Sequence, residues 1–334
     1  MLDGSTRCNP SLLINYMRED GHRRFIQIDA GKSFKEQVLR WFPRYNIPRL
    51  DALILTHEHA DAILGLDDIR GVQPYNPFNM IEPMPVFLSR HTMDSVEMKF
   101  PYLVQKSLKE GQEIRRVAQL QWHVIKSSSM ASFEAAGLQF ISLPVMHGED
   151  YVSLGFLFGK KSKIAYISDV SRIPLEIENV ISKQGAGPVD VLILDTLYKE
   201  GTHNTHFCLP QSLEAVKRLC PKKAFFVGMT HEFDHELVNE ELGRWSESTA
   251  ALKNFLQTNI LLHSTWVANI FWHLAWIIQH QSRALLQHNI CSNYVSFIID
   301  TAILAFPSTP EYKKFMLLTK LTYRLTFNTS HSSI

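Results

Sequence analysis

Short apolar runs alternate with amphipathic stretches along most of the chain, up to about residue 257. Each run is rich in β-branched or aromatic residues and ends at glycine, proline or a charged residue, as buried strands do. The runs that predict strands are residues 25–29, 51–56, 140–145, 163–168, 189–194 and 224–229. Residues 33–42 and 212–219 have helical spacing instead. Strands that alternate with helices predict a layered α/β fold.

The pattern changes after about residue 257, where apolar stretches lengthen and Asp300 and Glu311 are the last acidic residues. Residues 260–279 are about as long as a bilayer is thick, but they contain His263 and His273. We therefore predict two parts, a domain over residues 1–257 and an atypical hydrophobic C-terminal extension over residues 258–334. Membrane contact through residues 260–279 is the alternative that we do not favour.

Composition narrows the class of protein and of partner. The formal net charge is +1 over 334 residues, so we expect a small-molecule substrate and no nucleic-acid partner. The four cysteines form no C-x-x-C pair, which is typical of neither a disulfide scaffold nor a thiolate zinc finger. The N-terminus lacks the basic and apolar regions of a signal peptide. These features together predict a cytoplasmic protein.

Histidine and aspartate residues follow the predicted strands at or just after their C-terminal ends. They are His57, His147, Asp169, Asp195 and His231. A polar residue at such a position often does no more than begin a loop, but strand ends are also where layered α/β folds assemble their sites. Five coincidences, one of them with a metal-type spacing, favour a site.

The spacing in question is His57-x-His59-x-Asp61. Histidines at i and i+2 beyond a strand can direct both imidazoles to the same side. Neutral imidazole suits zinc and other borderline divalent ions, and Asp61 adds a hard carboxylate that could hold a second ion or orient a water. Gly65 is predicted to permit the tight turn into the next helix.

Three residues further along the chain could complete this site. His147 could make it a three-histidine site, Asp169 could bridge two ions, and His231 could bind the second ion. Two such ions would lower the pKa of a shared water and make hydroxide available near neutral pH. The pattern therefore indicates a two-metal hydrolytic site.

The order of these motifs, with Gly65-Leu66-Asp67-Asp68-Ile69-Arg70 after the metal loop, resembles the metallo-β-lactamase superfamily. It looks like the subgroup that contains phosphoribosyl cyclic phosphodiesterase and its eukaryotic relatives, over roughly residues 7–248. The resemblance implies an αββα sandwich with one or two divalent ions, zinc or manganese, at one edge of the sheets. It further implies a metallo-hydrolase, in the first place a phosphodiesterase that uses metal-activated hydroxide on a small phosphate ester. A thioester or lactone hydrolase and a non-catalytic, degenerate member are the alternatives.

The resemblance also assigns roles to single residues. His57, His59 and His147 would hold one ion, Asp61 and His231 the other, and Asp169 would be shared. His206 matches the family histidine that contacts the phosphate and could act as general acid or electrostatic clamp, with His203 a weaker candidate. Asp29 and Asp195 would support the ligands by hydrogen bonds.

The sequence departs from the family pattern in three places. Ala62 stands where the family motif has a histidine, so His235 or water would have to fill the second ion's coordination, or that ion binds weakly or is absent. We expect the family's early strand and its cysteines to be missing, which predicts no structural zinc near Cys8 and an unpaired sheet edge that invites homodimer formation. The family's closing strand is not recognisable after Ser248.

Overall fold

Two seven-stranded sheets form the framework of the part of the chain that the structure describes. The computed structural model describes residues 7–18, 20–75, 80–104, 117–160, 162–182, 188–253, 259–262, 268–269 and 295–300, all within one compact unit, residues 1–303. The strands are β1 (Ser11–Met17), β2 (Arg23–Ile28), β3 (Ala52–Ile54), β4 (Met84–Ser89), β5 (Leu120–Ile125), β6 (Ser132–Ala135), β7 (Leu138–Met146), β8 (Val152–Phe158), β9 (Ile164–Ile167), β10 (Val191–Asp195), β11 (Lys223–Val227), β12 (Asn259–Leu262), β13 (Ala268–Asn269) and β14 (Val295–Asp300). The first sheet has the order β13-β14-β1-β2-β3-β4-β5, and the second has the order β12-β11-β10-β9-β8-β7-β6.

Alternate residues of the strands face opposite sides of each sheet, as the two-residue period of a strand requires. Ile26 and Ile28 of β2 belong to the same buried cluster as Ile193 of β10 and Phe225 of β11, which places the cluster between the sheets. Leu53 of β3 belongs instead to a cluster that includes helical residues. The central strands are therefore buried on both faces, which explains their continuous apolar runs.

Helices cover the outer face of each sheet. They are α1 (Phe34–Tyr45), α2 (Ala60–Ile63), a 3₁₀ helix (Leu66–Val72), α3 (Arg90–Lys99), α4 (Pro101–Val104), α5 (Leu175–Ile181), α6 (Leu209–Leu219) and α7 (His235–Lys253). Phe34 and Trp41 of α1 pack on the first sheet, and Val216 and Leu219 of α6 pack on the second. The spacing of these apolar residues gives each helix one buried stripe. The result is an αββα sandwich.

Strand direction brings the predicted site residues to one edge. Strands β9, β10 and β11 are parallel, and β7 runs in the same direction because both β7 and β9 are antiparallel to β8. Their C-terminal ends therefore lie at the same edge of the second sheet. The backbone N–H of Leu154 in β8 donates to the carbonyl of Thr56, just after β3, at 3.0 Å. This bond joins the two sheets at that edge.

The sandwich and all six predicted strands are confirmed, as are helices at residues 33–42 and 212–219. The prediction of an unpaired sheet edge is wrong, because β14 pairs antiparallel with β1, from Ser11 opposite Asp300 to Tyr16 opposite Val295. The domain boundary near residue 257 stays a prediction. Most of the segment 260–279 lies outside the described residues, and no helix among those described is long and apolar enough to cross a membrane.

Candidate metal centre

Hydrogen bonds fix the ring of His57 at the end of β3. Asp29 is buried and has a backbone φ of 62°. Its carboxylate accepts from the backbone N–H and from the hydroxyl of Thr56, both at 2.8 Å. The Thr56 oxygen lies 2.8 Å from His57 Nδ1. Because the Thr56 hydroxyl already donates to Asp29, it accepts the proton of Nδ1, and His57 Nε2 keeps its lone pair.

The ring of His147 has the same tautomer for a different reason. Its Nδ1 lies 2.6 Å from the carbonyl oxygen of Thr205, which can only accept, so Nδ1 is protonated and Nε2 keeps its lone pair. Burial, with His57 and His206 nearby, lowers the pKa of His147 to about 4, although Asp169 opposes the shift. His147 is therefore neutral near pH 7, which is the ligand form of imidazole.

The free nitrogens of the three histidines converge. His147 Nε2 lies 3.3 Å from His59 Nδ1, and His57 Nε2 is buried with no hydrogen-bond partner in the described part of the chain. A buried nitrogen without a partner costs free energy in a metal-free protein. A cation that accepted these lone pairs would remove that cost, so the three histidines fit a divalent metal ion.

Two carboxylates lie beside the histidines. Asp61, at the start of α2, places Oδ1 3.9 Å from His57 Nε2, and Asp169 follows β9 with its Oδ2 accepting from the Ser168 hydroxyl at 2.6 Å. Burial and the charge of Asp169 raise the pKa of Asp61. Burial also acts against ionisation of Asp169, but His57, His147 and His206 outweigh it and lower the pKa. Such paired carboxylates favour a cation between them.

Potential ligand atoms lie within 4.8 Å of one another in three overlapping groups, which are His57, His59 and His147; His57, Asp61 and Asp169; and His147, Asp169 and His206. Imidazole nitrogens with carboxylate oxygens suit borderline divalent ions. The structure thus brings five of the six predicted ligands together. His231 is exposed and belongs to no such group among the described residues, so its role stays a prediction.

His235, the residue proposed to replace the missing histidine, also belongs to none of the ligand groups of the described part. Ala62 is 1% exposed and packs in the apolar cluster beneath α1. His235 Nε2 lies 3.1 Å from the side-chain amide of Asn239, and burial lowers its pKa. Neither His235 nor His203 belongs to a potential ligand group in the described part. The described residues thus offer the second ion chiefly carboxylate oxygen.

With this geometry, the sequence match decides the family. Residues 24–229 match the family of the beta-lactamase superfamily domain. The chain belongs to the metallo-β-lactamase superfamily. The predicted family is thereby confirmed, and the protein is a hydrolase of that fold with a site that fits divalent metal.

Two solved structures share the fold of this chain, and one curated protein is similar to it in sequence. The crystal structure of a diphosphatase from the PhnP family covers 90% of this chain and 89% of its own, with a TM-score of 0.59 and 24% identity. YhfI from Bacillus subtilis covers 76% and 96%, with a TM-score of 0.50 and 11% identity. An octanoyltransferase of Porphyromonas gingivalis (strain ATCC BAA-308 / W83) is 25% identical over 226 residues, or 67% of this chain. The chain spans only 40% of the length of that curated relative.

His206, a member of the third ligand group, pairs with Asp195. Its Nδ1 lies 2.8 Å from Asp195 Oδ2, which also accepts from the backbone N–H of Val170 at 3.1 Å. Burial acts to lower the pKa of His206, but the hydrogen bond and charge of Asp195 raise it to about 9. Asp195 therefore contacts both His206 and the loop that carries Asp169, and lies in none of the ligand groups.

Sequence reasoning missed three residues that contact the site. They are Glu58, Tyr151 and Thr205. Thr205 acts through its backbone carbonyl, which no side-chain pattern reveals. Glu58 and Tyr151 left a weak signal, since Glu58 lies between two predicted ligands and Tyr151 lies four residues after a third.

Proposed function

We propose that this hydrolase is a metal-dependent phosphodiesterase that acts on a small phosphate ester. One observation carries the choice of substrate class: the buried carboxylate of Asp195 lies 2.8 Å from Nδ1 of His206, whose ring is within reach of His147 and Asp169. A histidine so paired favours the imidazolium form, which attracts an anionic phosphate more than a neutral thioester or lactone. The diphosphatase named above points the same way, although its likeness by itself concerns the fold.

The ligand groups suggest where metal would bind. His57, His59 and His147 would hold one ion, with Asp169 shared and Asp61 turned to a second; His231 remains the predicted further ligand. Zinc and manganese both suit this set of nitrogen and oxygen atoms. Bound divalent metal would supply Lewis-acid chemistry and a nucleophilic water near neutral pH.

The chain's own residues would do the rest of the work. Asp29, through Thr56, keeps the lone pair of His57 on Nε2. His206, with Nδ1 bound to Asp195, would use Nε2 to bind a phosphate oxygen or to protonate the leaving oxygen. Asp195 would stabilise the imidazolium form and fix the ring.

Two alternatives remain in view, a thioester or lactone hydrolase and a non-catalytic member marked by Ala62. The octanoyltransferase does not favour thioester chemistry here, because the chain matches only 40% of that protein. Purified protein that binds no metal and shows no turnover would fit the non-catalytic alternative.

A substrate comparison tests the proposal. Metal-free protein is loaded with Zn²⁺ or Mn²⁺, and kcat/KM is measured on a cyclic phosphodiester and on an acyl thioester of similar size. We expect the phosphodiester to be preferred, and His59→Ala to lower its kcat/KM at least about 100-fold, since even residues that only support ligands contribute 10–100-fold. His22→Ala, in the exposed turn between β1 and β2, is the control and should leave kcat/KM unchanged. Preference for the thioester, or full activity of His59→Ala, would refute the phosphodiesterase.

A further inference from the structure

The ring of Tyr151 lies against all three histidines of the candidate metal centre. The centroid of the Tyr151 ring lies 6.4 Å from that of His57, 5.2 Å from that of His59 and 5.7 Å from that of His147. With His59 the two rings are stacked, at an interplanar angle of 9°. The exposed His59 ring also lies 4.6 Å from the His57 ring and 5.1 Å from the His147 ring, centroid to centroid, but Tyr151 is the one of the three that stacks on its face.

The hydroxyl of Tyr151 is anchored on the residue between two predicted ligands. It donates to Oε2 of Glu58, whose Oε1 lies 3.2 Å from His91 Nε2. The Glu58 carbonyl accepts from Lys99 Nζ at 2.9 Å. Both carboxylate oxygens are therefore engaged, and Glu58 belongs to none of the potential ligand groups in the described part. Its position suits an anchor for Tyr151 better than a metal ligand.

The backbone of Tyr151 is tied to the third histidine. Its carbonyl accepts from the N–H of His147 at 2.8 Å and closes the turn between β7 and β8. Gly148 in this turn has a φ of 124°, a conformation that side chains rarely adopt, and its N–H donates to Ser171 Oγ at 2.9 Å. The turn is thus fixed by two bonds, one to Ser171 in the loop after β9 and one to the carbonyl of Tyr151.

We infer that Tyr151 is a positioning residue for the metal centre. Its ring orients His59, and its hydroxyl, through Glu58, joins the loop after β3 to the turn after β7. The three histidines are then arranged before an ion arrives, which reduces the ordering that binding must impose. This inference rests on the metal site in the proposed function.

Metal binding by the full chain tests the inference without recourse to turnover. The Kd for Zn²⁺ is measured by chelator competition, and the ligand-field spectrum is recorded with Co²⁺. We expect Tyr151→Leu, which removes ring and hydroxyl, to raise the Kd about 10–100-fold and to alter the cobalt spectrum. Tyr151→Phe keeps the stacking and should raise the Kd by less.

Glu58 provides a second, independent variant. Glu58→Ala should raise the Kd by about as much as Tyr151→Phe, because each removes the same hydrogen bond. The double variant Tyr151→Phe/Glu58→Ala should then bind zinc no more weakly than either single variant, since substitutions that remove the same contact do not have additive effects. Additive losses would contradict an action of the hydroxyl through Glu58.

Tyr102→Phe is the matched control, because the Tyr102 hydroxyl also donates to a carboxylate, that of Asp67, and Asp67 belongs to no ligand group in the described part. Its zinc Kd and cobalt spectrum should equal those of the wild type. If Tyr151→Leu shows wild-type values too, or if it does not fold and Tyr151→Phe and Glu58→Ala show them, the inference is wrong while the metal site stands. A wild-type chain that binds no metal overturns the proposed function and this inference together.

Discussion

His206, which is partly buried, and Asp195, which is buried, form a pair in which each group changes the pKa of the other. Burial raises the pKa of Asp195, and the bond to His206 opposes that rise; burial lowers the pKa of His206, and Asp195 more than reverses it. The direction that the geometry supports is a protonated His206 against an ionised Asp195, because a 2.8 Å contact between them favours opposite charges. His206 can then donate the proton of Nε2 while the bond from Nδ1 to Asp195 holds the ring in position.

A variant of His206 shows whether this residue acts as a proton donor or as a metal ligand. For a phosphodiester with an alkoxide leaving group, His206→Gln should lower kcat about 10²–10⁴-fold, the usual contribution of general acid catalysis. A nitrophenyl ester should lose much less, because nitrophenolate leaves without a proton. Metal content should not change, and its loss in His206→Gln would show that His206 binds the ion.

His203→Gln is the control for this experiment. His203 is exposed and its ring centroid lies 5.5 Å from that of His206, so it shares the loop but not the bond to Asp195. Little change in kcat is expected. A loss as large as that of His206→Gln would move the proton donor to His203.

The positions of most ligands could be predicted from the sequence, but the contacts that orient their rings could not. The H-x-H-x-D spacing and the strand ends located His57, His59, Asp61, His147 and Asp169 because ligands must be particular side chains at particular places. The tautomer of His147 depends on the carbonyl of Thr205, and the ring of His59 depends on Tyr151. Neither contact leaves a pattern in the sequence, since both join residues that are distant along the chain.

Two loops pack backbone against backbone beneath the metal centre. A Cβ on Gly31 would lie 1.8 Å from the carbonyl oxygen of Asp61, and a Cβ on Gly65 would lie 2.4 Å from that of Gly31. Gly65 has an ordinary φ of −98°, so the predicted tight turn is not what requires glycine there. The requirement is close approach, which holds α2 and Asp61 in place.

Gly31→Ala should therefore destabilise the fold. The new methyl group must displace backbone, which costs about 1–3 kcal/mol or more. Gly71→Ala in the 3₁₀ helix is the matched control, because a Cβ there meets nothing within 4 Å, and it should change stability by less than about 0.5 kcal/mol. Urea unfolding of the metal-free proteins measures both. Equal stability of the two variants would contradict the close-packing account.

Elements were predictable in proportion to their burial. Central strands such as β9 and β10 are buried throughout, so their apolar runs identified them. Strand β5 lies at a sheet edge with most residues partly or fully exposed, and its sequence mixes polar and apolar positions. The pairing of β14 with β1 joins residues almost 300 positions apart, and such pairing has no local signal.

For the whole molecule, the alternation of strands and helices predicted a layered α/β fold, and the resemblance carried by five separated motifs implied the αββα sandwich. Near-neutral charge still predicts a small-molecule substrate rather than nucleic acid, and the extension over residues 258–334 stays a prediction. The position of Ala62 in the apolar core leaves the second ion fewer nitrogen ligands than the first. We therefore expect the two ions to differ in affinity.

Metal content of the purified chain is the direct test of whether His57, His59 and His147 hold a divalent ion. The protein is stripped with chelator, reloaded with Zn²⁺ or Mn²⁺, freed of excess metal and analysed by elemental mass spectrometry beside His57→Ala and His147→Ala. We expect one tightly held equivalent in the wild type, a weaker second one that washing removes, and loss of the tight equivalent in both variants. Wild-type protein that retains no metal, or variants that retain as much as the wild type, would contradict this expectation.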